Sequence, residues 1–163
     1  MDIFDELTRR LMLLHDQMEQ LVCALDIQQL VLANNRLRWL PAVTENVEVL
    51  VDEIKISELD RLAVTREAAA SLGVDGDQTL AQLADAAGEP FRAPWRRIRL
   101  QLVSLHHEIE QITASSAQLG RHGAMAANEV ITTLGGADTM PAYSATGRTE
   151  PVNPATHRFD RTV

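Results

Sequence analysis

The chain has 163 residues, of which 45% are hydrophobic and only 4% aromatic, with a formal charge of −8 at pH 7. This length gives one domain, or one domain with a tail, and the apolar content suffices for a core. Few aromatics beside abundant Leu, Ala and Val favour long aliphatic-packed helices over a β-sandwich, and the acidic balance argues against a general nucleic-acid binder, which needs a basic face for phosphates.

The first predicted helix covers residues 3 to 36. Leu7, Leu11, Leu14, Met18, Leu21 and Leu25 recur at alternating spacings of 4 and 3, which puts all six on one helix face. The pattern fades through "ANNRLRW", where two Asn and the approaching Pro41 weaken the helix. Cys23 has no partner for a disulfide and completes no Cys/His metal pattern, so a small buried hydrophobe is expected there. A second helix is predicted from about residue 41, with Pro41 in its first turn. It carries Val43, Val47, Leu50 and Ile54, continues through Leu59 and Leu62, and stops before Gly73. "GVDGD" is a turn.

"DQTLAQLADAAG" predicts a short helix, with Thr79 and Gln82 as a capping box and Gly88 and Pro90 as its close. Pro94 marks the start of the last long helix. Its stripe runs Ile98, Leu102, Leu105, Ile109, Ile112, Ser116, Leu119, Gly123, Ala126 and Val130, spaced 4 and 3 throughout. The first half of that stripe is large and aliphatic. The second half is small and partly polar, so either the bundle narrows there or a partner fills the missing volume. From Gly135 the periodicity ends. The remainder is rich in Gly, Pro, Thr and Ala, and its three acidic and three basic residues cancel, which predicts a flexible tail over 136–163 that orders on partner binding, beyond a helical body over 1–135.

The candidate chemistry is sparse. In "LVSLHHEIEQI" the stripe belongs to Leu102, Leu105, Ile109 and Ile112, leaving His106, His107, Glu108 and Glu110 on the solvated faces. Adjacent histidines diverge by about 100° on a helix and do not readily share a metal, and no HExxH spacing is present. There is no phosphate-binding or nucleophile-elbow motif, so no catalytic residue, metal site or cofactor is expected. Arg92, Arg96, Arg97 and Arg99 form the densest positive cluster; it either binds an anion or an acidic partner or, the favoured reading, neutralises the acidic second helix (Glu45, Glu48, Asp52, Glu53, Glu58, Asp60). Trp39 and Trp95, both near helix ends, are expected to cap the bundle. Tyr143 in the tail is either a short-motif anchor or incidental composition. The acidic N-terminus lacks a signal-peptide pattern, and no apolar run approaches the roughly 20 residues that span a bilayer, so a soluble cytoplasmic protein without membrane insertion is expected.

With these elements in place, the chain resembles the FlgN-type flagellar export chaperones, in the form found in high-GC Gram-positive bacteria. The residues that carry the likeness are the long first helix, "QQLVLANNRLRWLPAVTENVEVLVDEI", "TLAQLADAAGEPF", the long last helix and "AYSATGR", which is similar to the family's Tyr-x-x-x-Gly segment. One departure is His122 in "LGRHGAM", where relatives often carry Asn. The resemblance implies an all-α, elongated antiparallel bundle of three long helices and one short one. It also implies binding of hook-associated junction proteins as cargo, prevention of their premature polymerisation, and delivery to the flagellar type III export gate. The stripe thinning points to Leu119, Ala126, Val130, Ile131 and Leu134, with Met140 as an outer contact, as the cargo surface; the resemblance makes Tyr143 the export-gate contact. A homo-oligomer in the absence of cargo is compatible with such a groove. Two other classes stay open: a structural or secreted helical hairpin of a specialised secretion system, and an all-α enzyme using buried Arg residues. Against them stand the missing Trp-x-Gly turn and the aliphatic stripes.

Overall fold

A computed structural model of the chain describes residues 2–76 and 78–135. Among them the elements are all helical: α1 (Ile3–Ala33), α2 (Leu40–Ser71), the short α3 (Leu80–Ala87) and α4 (Arg92–Gly135), with a single 3₁₀ turn at Leu37–Trp39. This is the all-α set of three long helices and one short one that the stripes predict. The contacts group Met1–Gly123 into one compact unit and Ala124–Val163 into another.

Local chemistry sets each end. Asp2 caps α1, its carboxylate accepting from the Phe4 N–H, with Asp5 and Glu6 in the first turn where negative charge suits the helix dipole. The helix stops at Ala33, three residues earlier than the periodicity predicts. Asn35 takes φ 52°, a left-handed conformation that Asn tolerates; its N–H donates to the Leu32 carbonyl and the Arg36 N–H to that of Val31. This is a Schellman close. α2 ends the same way: Gly73 sits at φ 68° while Gly73 and Val74 donate back to Ala70 and Ala69. The Thr79 box forms as predicted, with the Gln82 N–H donating to Thr79 Oγ1 at 3.3 Å and the Thr79 N–H to Gln82 Oε1 at 2.9 Å. Gly88 closes α3 at φ 68°, ψ −163°, a region essentially reserved for Gly.

Within the first unit, α1 and α2 form an antiparallel hairpin, tied by Arg10 to Asp60 near one end and Gln28 to Thr44 near the other. α4 runs parallel to α1. Trp95 Nε1 donates to Thr8 Oγ1 at 2.8 Å and Gln29 Nε2 to Ser115 Oγ at 2.6 Å, pairs separated by 87 and 86 residues. Two apolar clusters follow from this register. The first gathers Leu7, Leu11, Ala68, Ala69, Leu83, Ala84 and Trp95, all buried, from all four helices. The second gathers Leu21, Ala24, Leu25 and Leu50, with Ile109 and Ile112 packed on from α4. Phe4, Phe91 and Trp95 meet at ring-centroid distances of 5.3 to 5.9 Å and join the start of α1 to the start of α4.

Four expectations are corrected here. Leu59 is 68% exposed. Beyond Ile54 the buried residues of α2 are Ser57, Thr65, Ala68 and Ala69, because small side chains let the neighbouring helices come close. Cys23 is exposed, since it lies off the stripe that Leu21 and Leu25 occupy. Trp95 is fully buried, but Trp39 is 52% exposed with the Arg38 guanidinium stacked 4.7 Å from its ring. The arginine cluster does not neutralise α2. Arg92 and Arg96 pair with Asp85 of α3, while Asp52, Glu58 and Asp60 of α2 are met by Lys55, Arg61 and Arg10.

Candidate functional site

Two surfaces stand out, and the first is where α4 leaves its supports. The offset of 86 to 87 residues sets the end of α1, at Ala33, level with Gly120. The α4 stripe is half-buried at Leu105, Ile109, Ile112 and Leu119 and buried at Ser116, then exposed at Gly123. A Cβ at Gly120 or Gly123 would meet nothing within 4 Å. The same end of the hairpin presents exposed Leu30, Leu37 and Trp39. In the second unit α4 continues to Gly135, with Ala124, Met125 and Ala126 exposed and Met125 at 69%.

Of the sequence-predicted contacts, Leu119 is half-buried on α4 and Ala126 is exposed on it. Val130, Ile131 and Leu134 lie on the last turns of α4, with their side chains outside the described set. Met140, Tyr143 and the whole 136–163 segment lie outside the described residues.

The second surface escapes sequence reasoning. Residues of α1, α2 and α4, together with Gly76, Gln78, Thr79 and Leu80 at and before the start of α3, line a groove of about 590 Å³. Its apolar lining includes Leu11, Leu14, Met18, Ile54, Leu62 and Leu102, and its charged or titratable members are Glu58, Arg61, Arg66, Arg99 and His106. Glu58 is internally neutralised: the Arg61 Nε and Nη2 donate to its two oxygens at 2.7 and 2.6 Å, and Arg61 is only 15% exposed.

The histidine stretch is a solvated face, as expected. His106 Nε2 and His107 Nδ1 each lie 3.3 Å from a Glu110 oxygen, with all three side chains mostly exposed. Both histidines thus share Glu110, His106 from four residues away and His107 from three. Among the described residues the one clustered set of possible metal ligands is His15, Asp16 and Glu19, within 4.8 Å of one another on the outer face of α1. Two of its three members are exposed carboxylates. The one clear set of carboxylate perturbations lies elsewhere: the hydrogen bond from Arg10, with Arg9 also nearby, holds the Glu6 carboxyl below its ordinary value.

The model of the FlgN protein family matches residues 1–151. The chain belongs to the FlgN family. That is the family of flagellar export chaperones, and its members bind flagellar hook-associated proteins as cargo. No curated protein and no solved structure is significantly similar to the chain. The FlgN match takes in both surfaces described above and extends across "AYSATGR". Among the described residues of this FlgN chain, no helix is long and apolar enough to cross a membrane.

Proposed function

We propose that this FlgN-family chain holds hook–filament junction proteins in the cytoplasm through the late part of α4, prevents their premature polymerisation, and hands them to the flagellar type III export gate through Tyr143. The observation that carries the cargo assignment is the loss of support along α4 after Leu119. Among the described residues the stripe is last half-buried at Leu119 and is exposed at Gly123 and Ala126, so the 4,3 period outlasts its cover. A cargo helix laid along Leu119, Ala126, Val130, Ile131 and Leu134 supplies that cover by helix-to-helix packing, with Met140 at its edge. Exposed Leu30, Leu37 and Trp39 at the hairpin end add apolar area beside the point where α4 emerges.

Val130→Asp with Leu134→Asp tests this. Each carboxylate opposes burial of the face without touching the core around Trp95. The double variant is expected to lose junction-protein binding while helicity by circular dichroism persists; full affinity in that folded variant overturns the assignment. Tyr143→Ala is expected to leave cargo affinity unchanged and to weaken gate binding of the chaperone–cargo complex, measured by titrating cargo and gate domain separately. Unchanged gate affinity removes the delivery role of Tyr143.

A further inference from the structure

The groove between α2 and α4 is separate from the cargo surface proposed above. It lies within the first unit, alongside Arg99 to His106 of α4, 20 residues or more before Ala126. Its charge is unusual for this chain. The protein carries −8 overall, yet the one carboxylate among the described lining residues, Glu58, is held by Arg61. Arg66 and Arg99, both exposed, have no ion-pair partner among the described residues. Among the described residues the groove is therefore a largely apolar trough with two arginines that no carboxylate pairs.

The cations share one end. Arg66 lies near the C-terminus of α2 and Arg99 near the N-terminus of α4, and those two termini pack together in the cluster around Ala68, Ala69 and Trp95. Ile54 and Met18 lie toward the other end. From Ile54 to Arg66 is 12 residues of α2, about 18 Å at about 1.5 Å per residue, which matches roughly three turns of helix. Such a length offers apolar anchors at i, i+3 or i+4, and i+7. Uncompensated arginines at the rim of an apolar trough select carboxylates, since Arg forms charge-assisted hydrogen bonds to them.

We propose that this groove is a second docking site, which takes about three turns of an amphipathic helix from a partner protein, with its apolar side chains on Leu14, Ile54, Leu62 and Leu102 and carboxylates clustered at the end that meets Arg66 and Arg99. The FlgN chain thus has room for two partner helices, one on late α4 and one in a trough with its own charge requirement.

The test uses the full-length protein and labelled 15-residue helical peptides with Leu at i, i+3 and i+7. Two probes carry paired Glu in the first or in the last turn; matched controls carry Gln or Lys. Fluorescence anisotropy gives affinity and amide chemical shifts give location. At least one Glu probe is expected to bind wild type, shifting Leu62 and Leu102. The Gln control, or Arg66→Glu with Arg99→Glu, is expected to weaken binding at least tenfold, and the Lys probe to prefer that reversed variant. Both arginines are exposed, so the variant keeps its helicity. Absence of binding, affinity indifferent to charge, or shifts confined to late α4 overturns the proposal. So does a probe that binds only after the chain is cut at Gly135, which assigns the trough to its own C-terminal segment, or a concentration-dependent dimer lost in the reversed variant, which assigns it to a second copy.

Discussion

Trp95→Ala is expected to weaken the fold by about 4 kcal/mol. Trp95 is completely buried, in ring contact with Phe4 and Phe91, and its indole N–H donates to Thr8. Truncating a buried Trp to Ala generally removes about 3–5 kcal/mol through lost transfer energy and the cavity left behind. The indole hydrogen bond accounts for about 1 kcal/mol of that, because Thr8 is only partly buried and water can replace the donor. Trp95→Phe keeps the ring stack and is expected to lose about 1–2 kcal/mol. Urea unfolding followed by far-UV circular dichroism gives both values. At a typical dependence of about 2 kcal/mol per molar, the Ala variant shifts the midpoint by roughly 2 M. Trp39→Phe, at a half-exposed site, is the control and is expected to stay within about 0.5 kcal/mol. A loss below about 1 kcal/mol for Trp95→Ala, with unchanged denaturant dependence, refutes the view that the aromatic cluster anchors α4 to α1.

Two glycines separate backbone effects from packing. Gly88→Ala is expected to cost about 1–3 kcal/mol although its Cβ meets nothing within 4 Å, because its backbone conformation is nearly exclusive to Gly. Gly120→Ala, equally unobstructed but inside α4, is expected to raise stability by about 0.5–1 kcal/mol; thermal melts with equal shifts for both would contradict this. Glu6, whose folded pKa is depressed by the Arg10 hydrogen bond and by Arg9, adds stability that is present above its ordinary value of 4.5 and is lost as pH falls through the lower folded value. Glu6→Gln is therefore expected to melt below wild type at neutral pH and to converge with it in acid; a constant difference across pH would show that the pair contributes through packing instead.

The α1 stripe was legible because its positions are large and apolar and, Met18 apart, buried between α2 and α4. The Thr79 box was legible because both halves of its chemistry are local. α2 beyond Ile54 was not: Leu59 continues the hydrophobic period, but the helix turns Ser57, Thr65, Ala68 and Ala69 inward, and small residues leave no amphipathic signature. Trp39 misled for a different reason, since Arg38 supplies a local partner that a sequence pattern does not display. The arginines of α4 were assigned to the wrong acidic partner, because pairing depends on which helix lies opposite, and the turn at Gly88 brings Asp85 of α3 within reach first. Thinning along α4 was visible as composition. The α2–α4 trough depends on the spacing of three helices and could not be read from any one of them.

The constant offset between α1 and α4 has a consequence for assembly of the fold. The Thr8–Trp95 and Gln29–Ser115 contacts close loops of nearly equal length, and loop-closure entropy grows only logarithmically with length. Whichever contact forms first therefore meets almost the whole closure penalty for the rest, and the remaining turns of α4 register by local ordering alone. The α1–α2 hairpin, with its short connection, closes on far smaller loops and is complete earlier in the chain. During synthesis it emerges with Leu7, Leu11, Ala68 and Ala69 still awaiting Trp95, and once either long-range contact has formed, the rest of α4 adds turn by turn.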